Sequence, residues 1–159
     1  MNLKNKWVIY SIGGIVLVWG VSLIAAKILV PEWNPPKRHT GFILNEEADA
    51  ILKQSCFDCH SNETKSYWYN KMPVISVLLA RHIQEGRKEL NFSEWEKRPE
   101  SKKKKAIRKS LEEIIEGEMP LPPYIFMHPE AKIDGNKLEF LKKIAKTKWD
   151  VEPELEEQY

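Results

Sequence analysis

The stretch Ser55-Cys56-Phe57-Asp58-Cys59-His60-Ser61-Asn62 (SCFDCHSN, residues 55–62) holds both cysteines of a 159-residue chain, with a histidine directly after the second. C-x-x-C is compatible with a redox dithiol, part of a zinc site, or a covalent anchor for haem. A thioredoxin-like dithiol sits near a βαβ pattern. Here the residues before Cys56 read as helix, and no stretch alternates as a strand does. Structural zinc takes four ligands and usually draws on a second compact pair. His60, His82 or His128 could join the cysteines, but no second pair occurs. Two cysteines are also too few for a disulfide framework. C-x-x-C-H is the attachment signature of c-type haem. Its spacing has a stereochemical cause: two thiols meet the two vinyl groups, and the adjacent imidazole turns under the porphyrin to the iron. Cys56 and Cys59 are therefore the expected attachment points, and His60 the proximal ligand, of one covalent haem c.

Haem attachment of this kind takes place outside the cytoplasm, so the chain needs a route across a membrane. Trp7 to Ala26 is a run of 20 residues without a charge. At about 1.5 Å per residue, some 20 apolar residues cross the roughly 30 Å hydrocarbon core. A cleaved signal peptide has a shorter apolar region and a small-x-small site, which Ile24-Ala25-Ala26 matches poorly. The expectation is an uncleaved anchor in contact with the bilayer over residues 7–30, with Lys27 snorkelling and Trp7 and Trp33 at the interfaces. Lys4 and Lys6 on one side, and Lys27, Lys37 and Arg38 on the other, do not settle its orientation. The haem motif does: N-terminus inside, domain on the extracytoplasmic (periplasmic) side of the cytoplasmic membrane.

The expected organisation is an anchor at 1–30, a Pro-rich linker at 31–40, a haem domain at 41–151 and an acidic tail at 152–159. The domain reads as all-α. Asn45 is a candidate N-cap for a helix running into the cysteines. Pro73 suits the first position of a second helix reaching Glu89. Pro99 can start a third, stopped by Gly117. Asp134 can cap a last helix bearing Leu138, Leu141, Ile144 and Ala145 on one stripe. The segments 61–72, 90–98 and 118–133 read as long loops. Their aromatics Tyr67, Trp68, Tyr69, Phe92, Trp95, Tyr124 and Phe126 are candidate haem walls, and Arg81, His82 and Arg87 are candidate propionate partners. With 25 Lys and Arg against 23 Asp and Glu, the charge balance does not suggest nucleic-acid binding. The run Lys102–Lys105 reads first as the solvated face of a helix, and second as a docking patch for an acidic partner or for lipid headgroups.

The other side of the iron is open to several residues. Met119, in GEMPLPPY, is the first choice, because a proline-stiffened loop can hold a thioether at one distance. His128, Met127, Met72, His82 or an open site are the alternatives. His39 and His82 read otherwise as surface residues.

Two segments carry a family resemblance: SCFDCHSNETKSYWYNKMPVISVLLARHIQEGRKELNFSEW (55–95) and EIIEGEMPLPPYIFMHPEAKI (113–133). The chain resembles the bacterial haem-binding domain proteins, membrane-anchored single-haem c-type cytochromes, over roughly residues 40 to 147. The resemblance implies haem on Cys56 and Cys59 with His60 proximal. Likeness to cytochromes c in general implies Met119 as distal ligand and a small cytochrome c-like fold. In that fold the helix entering Cys56 crosses the last helix near the haem. The expected function is single-electron transfer among membrane or periplasmic redox proteins. A haem-based sensor with an open distal site is the alternative, and enzymatic activity is not expected.

Overall fold

A computed structural model of the protein describes residues 3–29, 34–35 and 41–153. The Pro-rich linker apart from Asn34 and Pro35 lies outside the described residues, with Trp33, Lys37, Arg38 and His39. So do residues 154–159 of the acidic tail.

The described residues form an all-α structure without strands. Seven α-helices follow in order: α1 (Leu3–Leu29), α2 (Glu46–Ser55), α3 (Phe57–His60), α4 (Ile75–Glu89), α5 (Glu100–Ile115), α6 (Pro122–Met127) and α7 (Gly135–Trp149). The three stretches read as loops each carry short helical turns: 3₁₀ turns at Trp68–Lys71, Phe92–Lys97 and Pro129–Ala131, and α6 itself.

Local chemistry sets the helix ends. The Asn45 side chain accepts a hydrogen bond from the Ala48 N–H, and that of Asp134 from the Lys137 N–H, satisfying donors a helix start leaves orphaned. Helix α4 begins at Ile75, two residues after Pro73, because Val74 takes φ 65° and ψ −50°. With the Ile75 N–H bonded to the Pro73 carbonyl at 2.7 Å, Val74 is the centre of the rarer, strained form of γ-turn. At the end of α5, Gly117 takes φ 77°. There the Gly117 N–H bonds to the Ile114 carbonyl and the Glu118 N–H to that of Glu113, the double closure that left-handed glycine permits.

The main core lies between α2, α5 and α7. It contains Leu52, Phe92, Trp95, Ile107, Leu111, Leu141 and Ala145, each removed from water. Full burial of a large apolar side chain contributes about 1.5–3 kcal/mol. The residues before α2 are tied onto this core: the Asp49 carboxylate accepts from the N–H groups of Ile43 and Leu44 at 2.7 and 2.8 Å, and the Trp149 indole donates to the Ile43 carbonyl. Helix α2 meets α7, as expected, but α7 contributes no side chain to the cavity beside the cysteines and stands behind it as core. Trp95 belongs to this core rather than to a haem wall. Within the lysine run, Lys103 sits over the Trp95 ring and Lys104 pairs with Glu100 at 3.8 Å. Lys102 and Lys105 are exposed.

A second, smaller cluster joins the N-terminal helix to the domain. Ala26 of α1 packs with Ala80 and Ile83 of α4, flanked by Leu29, Leu79 and Cys59. Residues Lys6–Leu29 are long and apolar enough to cross a membrane, with a mean hydropathy of 2.2.

Candidate functional site

Helix α2 delivers its chain directly into the motif: the Cys56 N–H closes onto the Leu52 carbonyl, and the His60 N–H onto that of Cys56. The one turn of α3 sets the two sulfurs and the imidazole on the same short segment. The polar residues after it lock the turn. Ser61 Oγ donates to the Phe57 carbonyl at 2.7 Å and accepts from the Glu63 N–H. Thr64 Oγ1 donates to the Asp58 carbonyl at 2.7 Å, the Asn62 N–H reaches Ser93 Oγ, and Arg87 of α4 donates to the Ser61 carbonyl and Thr64 Oγ1. Arg87 is thereby committed to the motif loop, and Arg81 to an exposed pair with Glu85. Neither lines the cavity proposed for the cofactor.

That cavity, about 390 Å³, opens beside the motif. Cys56, Cys59, His60 and Met119 all line it, with Leu52, Leu90, Phe92, Ala106, Ile114, Leu121 and Tyr124 as apolar wall. The volume is within the range of small-molecule and cofactor sites. Met119 arrives there through the end of α5: its N–H shares the Glu113 carbonyl with that of Glu118, which turns the chain back over the helix end. The Met119–Pro120 peptide is cis. Among the candidate wall aromatics, Phe92 and Tyr124 line the cavity, while Trp68 and Phe126 point to solvent at 72% and 83% exposure. His82, read from the sequence as a candidate propionate partner and otherwise as a surface residue, is exposed at the cavity rim, with Lys109 and Glu113.

The other candidate ligands are elsewhere. His128 is buried with both ring nitrogens engaged, one against the Tyr69 hydroxyl at 2.6 Å and one against Glu130 at 3.3 Å. Met127 and Met72 are exposed and away from the cavity.

The electrostatics separate the three chemistries of C-x-x-C. Burial, and then the neighbouring Cys59, push the Cys56 thiol up to about 12. Burial and Asp58 push Cys59 up to about 11, against a lowering by Arg87. Redox dithiols work through a thiolate whose pKa is lowered, so this pair is tuned in the opposite direction. Among the described residues, no three His, Cys, Asp or Glu side chains converge as a metal cage would require. His60 is held as a neutral imidazole. Burial lowers its pKa, partly offset by backbone hydrogen bonds to Leu90 and Gly86 and by the charge of Glu113. Its Nδ1–H donates to the Leu90 carbonyl at 3.1 Å. This fixes the tautomer in which Nε2 keeps its lone pair, the usual arrangement of a metal-binding histidine.

Three supporting features were not apparent from the sequence. Gly86 of α4 lies against the motif, where a Cβ would stand 2.9 Å from the Cys59 carbonyl oxygen and 3.3 Å from His60 Cε1. The Leu90 carbonyl orients the imidazole. Asp58, between the cysteines, accepts from the Tyr67 and Tyr124 hydroxyls, both at 2.7 Å. The only sequence signal for the first was a glycine at a helix position where alanine would be the better former.

The donor set fits a c-type haem: two sulfurs, an imidazole with its second nitrogen already bonded, a thioether and a largely apolar wall. The comparison with family models supports haem as the cofactor. The family model described as "Haem-binding domain" matches residues 22–147. No curated protein and no solved structure matches the chain.

Proposed function

The chain belongs to the haem-binding domain family, and on that footing we propose that it is a membrane-tethered, single-haem c-type cytochrome that passes single electrons between membrane or extracytoplasmic partners. The observation that carries this reading is the convergence of Cys56, Cys59, His60 and Met119 on one cavity.

In this reading Cys56 and Cys59 would hold the haem through thioether bonds, and His60 Nε2 and the Met119 sulfur would ligate its iron. Bound haem supplies a reversible one-electron couple, and Met ligation in a dry site raises its potential. The residues around it do the rest. The Leu90 carbonyl keeps the imidazole in one orientation. Leu52, Phe92, Ile114 and Leu121 give the cavity an apolar wall. His82 and Lys109, at its rim, are better placed to meet the propionates than Arg81 or Arg87.

The tether is supported by the length and hydropathy of Lys6–Leu29 and by its packing. Ser22 and Ala26 are buried, Ala26 against Ala80 and Ile83, and the family match itself begins inside this helix at residue 22. A cleaved signal peptide has no reason to complete the packing of the mature domain. Covalent haem attachment then puts the domain on the extracytoplasmic side. Full-length protein, denatured and extracted with acidified acetone, tests the proposal. Retention of the haem spectrum on the polypeptide is expected, and its loss to the solvent would overturn the covalent reading.

A further inference from the structure

Helix α1 does not carry the domain on its tip. It rises alongside α4, and the contacts fix the height at which the domain grips it. The Trp19 indole N–H donates to the Lys71 carbonyl at 2.6 Å, the Val74 N–H donates to Ser22 Oγ at 3.3 Å, and Ala26 packs higher up with Ala80 and Ile83. Among these contacts, the start of α4 and the turn before it meet α1 lowest, level with Trp19.

That level is too low for the domain to stand clear of the bilayer. The uncharged run begins at Trp7. Below Trp19 it offers a helix of only about 18 Å at 1.5 Å per residue, against a hydrocarbon core of roughly 30 Å. The missing length must come from the part of α1 that the domain covers. With Ala26 at the far boundary of the core, Trp19 lies about 10 Å inside it.

The surface at that level suits such a position. Trp68 is 72% exposed, Val74 57%, Leu78 50%, Ile75 39% and Met72 38%. Five large apolar side chains within eleven residues form an exposed apolar surface of the kind that marks interaction sites. The strained turn at Val74 sends that side chain outward instead of into the core. Two backbone groups of this segment, the Lys71 carbonyl and the Val74 N–H, are satisfied by side chains of α1, as low-dielectric surroundings favour. Lys71 is the one charge in the turn, and its long side chain can snorkel to the headgroups.

We infer that the turn Trp68–Ile75 and the first turns of α4 form a second membrane contact, a foot immersed in the outer leaflet beside α1. The inference rests on the proposed tether. A segment lying about 5–10 Å into the headgroup and acyl boundary is ordinary for apolar interfacial elements. Its consequence is geometric: Cys59 packs against the Ala26–Ala80–Ile83 cluster, so the foot holds the haem motif close above the membrane, facing partners that move within it.

The test uses the full chain with its haem, reconstituted in phosphatidylethanolamine–phosphatidylglycerol vesicles doped with a lipid bearing a diazirine in its acyl chain. After illumination, labelled peptides are mapped by mass spectrometry. Labelling is expected in α1 and in the peptide spanning Trp68–Leu78, and not at Phe42, an exposed apolar residue at the α7 end of the domain. A labelled α1 with a blank 68–78 peptide overturns the foot and leaves the tether standing. A blank α1 overturns the tether and the foot with it. Labelling of 68–78 no stronger than at Phe42, or its crosslinking to a second protein copy, also overturns the foot. The double variant Ile75→Glu, Leu78→Glu changes only exposed side chains. It should lose the label in 68–78 while keeping α1 labelling and haem content, and unchanged labelling would count against immersion.

Discussion

Gly86 and Cys59 are in backbone contact: a methyl group at residue 86 would stand 2.9 Å from the Cys59 carbonyl oxygen, closer than atoms approach without something moving. The obstacle is backbone, so it cannot swing aside. Gly86→Ala should push α4 away from the motif. Overpacking costs about 1–3 kcal/mol, and alanine's better helix propensity returns about 1. The expected result is a net loss of up to about 2 kcal/mol and a lower haem content per chain, because His60 shares the displaced contact. Denaturant unfolding and visible absorbance per mole of protein measure the two effects. A variant that is more stable and fully loaded would show that the motif does not need the close approach.

Asp58 links the motif to the segment after Met119. Its Oδ2 accepts from both Tyr67 and Tyr124, and its Oδ1 from the Lys65 N–H. Both tyrosine hydroxyls are held well above their ordinary pKa, by burial first and then by the bond to Asp58, so both remain donors at physiological pH. Asp58→Asn replaces one acceptor oxygen by an NH₂ donor and leaves a hydroxyl unpaired, at about 2–3 kcal/mol. Tyr124→Phe alone should cost about 1 kcal/mol. The double variant should cost less than the sum of the two, since the groups share one interaction. Urea unfolding of the four proteins measures the coupling, and strict additivity would remove Asp58 as the link.

How much of this was legible beforehand follows the range of the interactions. The caps Asn45 and Asp134, the stop at Gly117 and the stripe on α7 are local, and each stands where the sequence placed it. Helix α4 starts later than Pro73 suggested because Val74 adopts a backbone angle that no propensity favours and that its contact with Ser22, 52 residues away, helps to hold. Cys56, Cys59 and His60 were readable because their chemistry sits in one pentapeptide. Met119 could be singled out only as a methionine in a stiff loop, and the fold brings it to the same cavity. The Leu90 carbonyl and the Gly86 contact depend on α4 lying across α3, which no periodicity records. Lys109 at the rim was not singled out, and Trp95, a candidate wall, stands in the core, for the same reason: only tertiary packing decides which aromatic or basic residue meets the cavity.

The haem-free protein should carry a pH dependence that the loaded one lacks. Burial lowers the pKa of His60 below its ordinary 6.5. In the unfolded chain the same ring takes up its proton near that ordinary value, so below it the unfolded state binds more protons than the native state. Stability therefore falls as pH drops through this window and is insensitive to His60 above it. The difference in urea midpoint between the haem-free wild type and His60→Gln should shrink or change sign from neutral to mildly acidic pH. With iron on Nε2 the window should close. A difference that stays flat in the haem-free protein would mean that His60 is not buried as described.

Met119 decides whether the site carries electrons or binds gases. If its sulfur closes the iron, the oxidised wild type shows the weak red sulfur-to-iron charge-transfer band, and the reduced protein does not take up carbon monoxide. Met119→Ala should abolish the band, admit carbon monoxide and lower the potential by something on the order of 100 mV, a part of the roughly 0.8 V that axial ligands command. His128→Ala should change none of these, because both nitrogens of His128 are already bonded away from the cavity. It should instead cost about 1–3 kcal/mol by leaving the buried Tyr69 hydroxyl without its partner. Spontaneous carbon monoxide binding by the wild type would turn the protein into a sensor or gas-binding module with the same haem attachment. A wild type that lacks the charge-transfer band and takes up carbon monoxide after His128→Ala but not after Met119→Ala would transfer the ligand role to His128 and require the segment Pro122–Ala131 to rearrange around the haem.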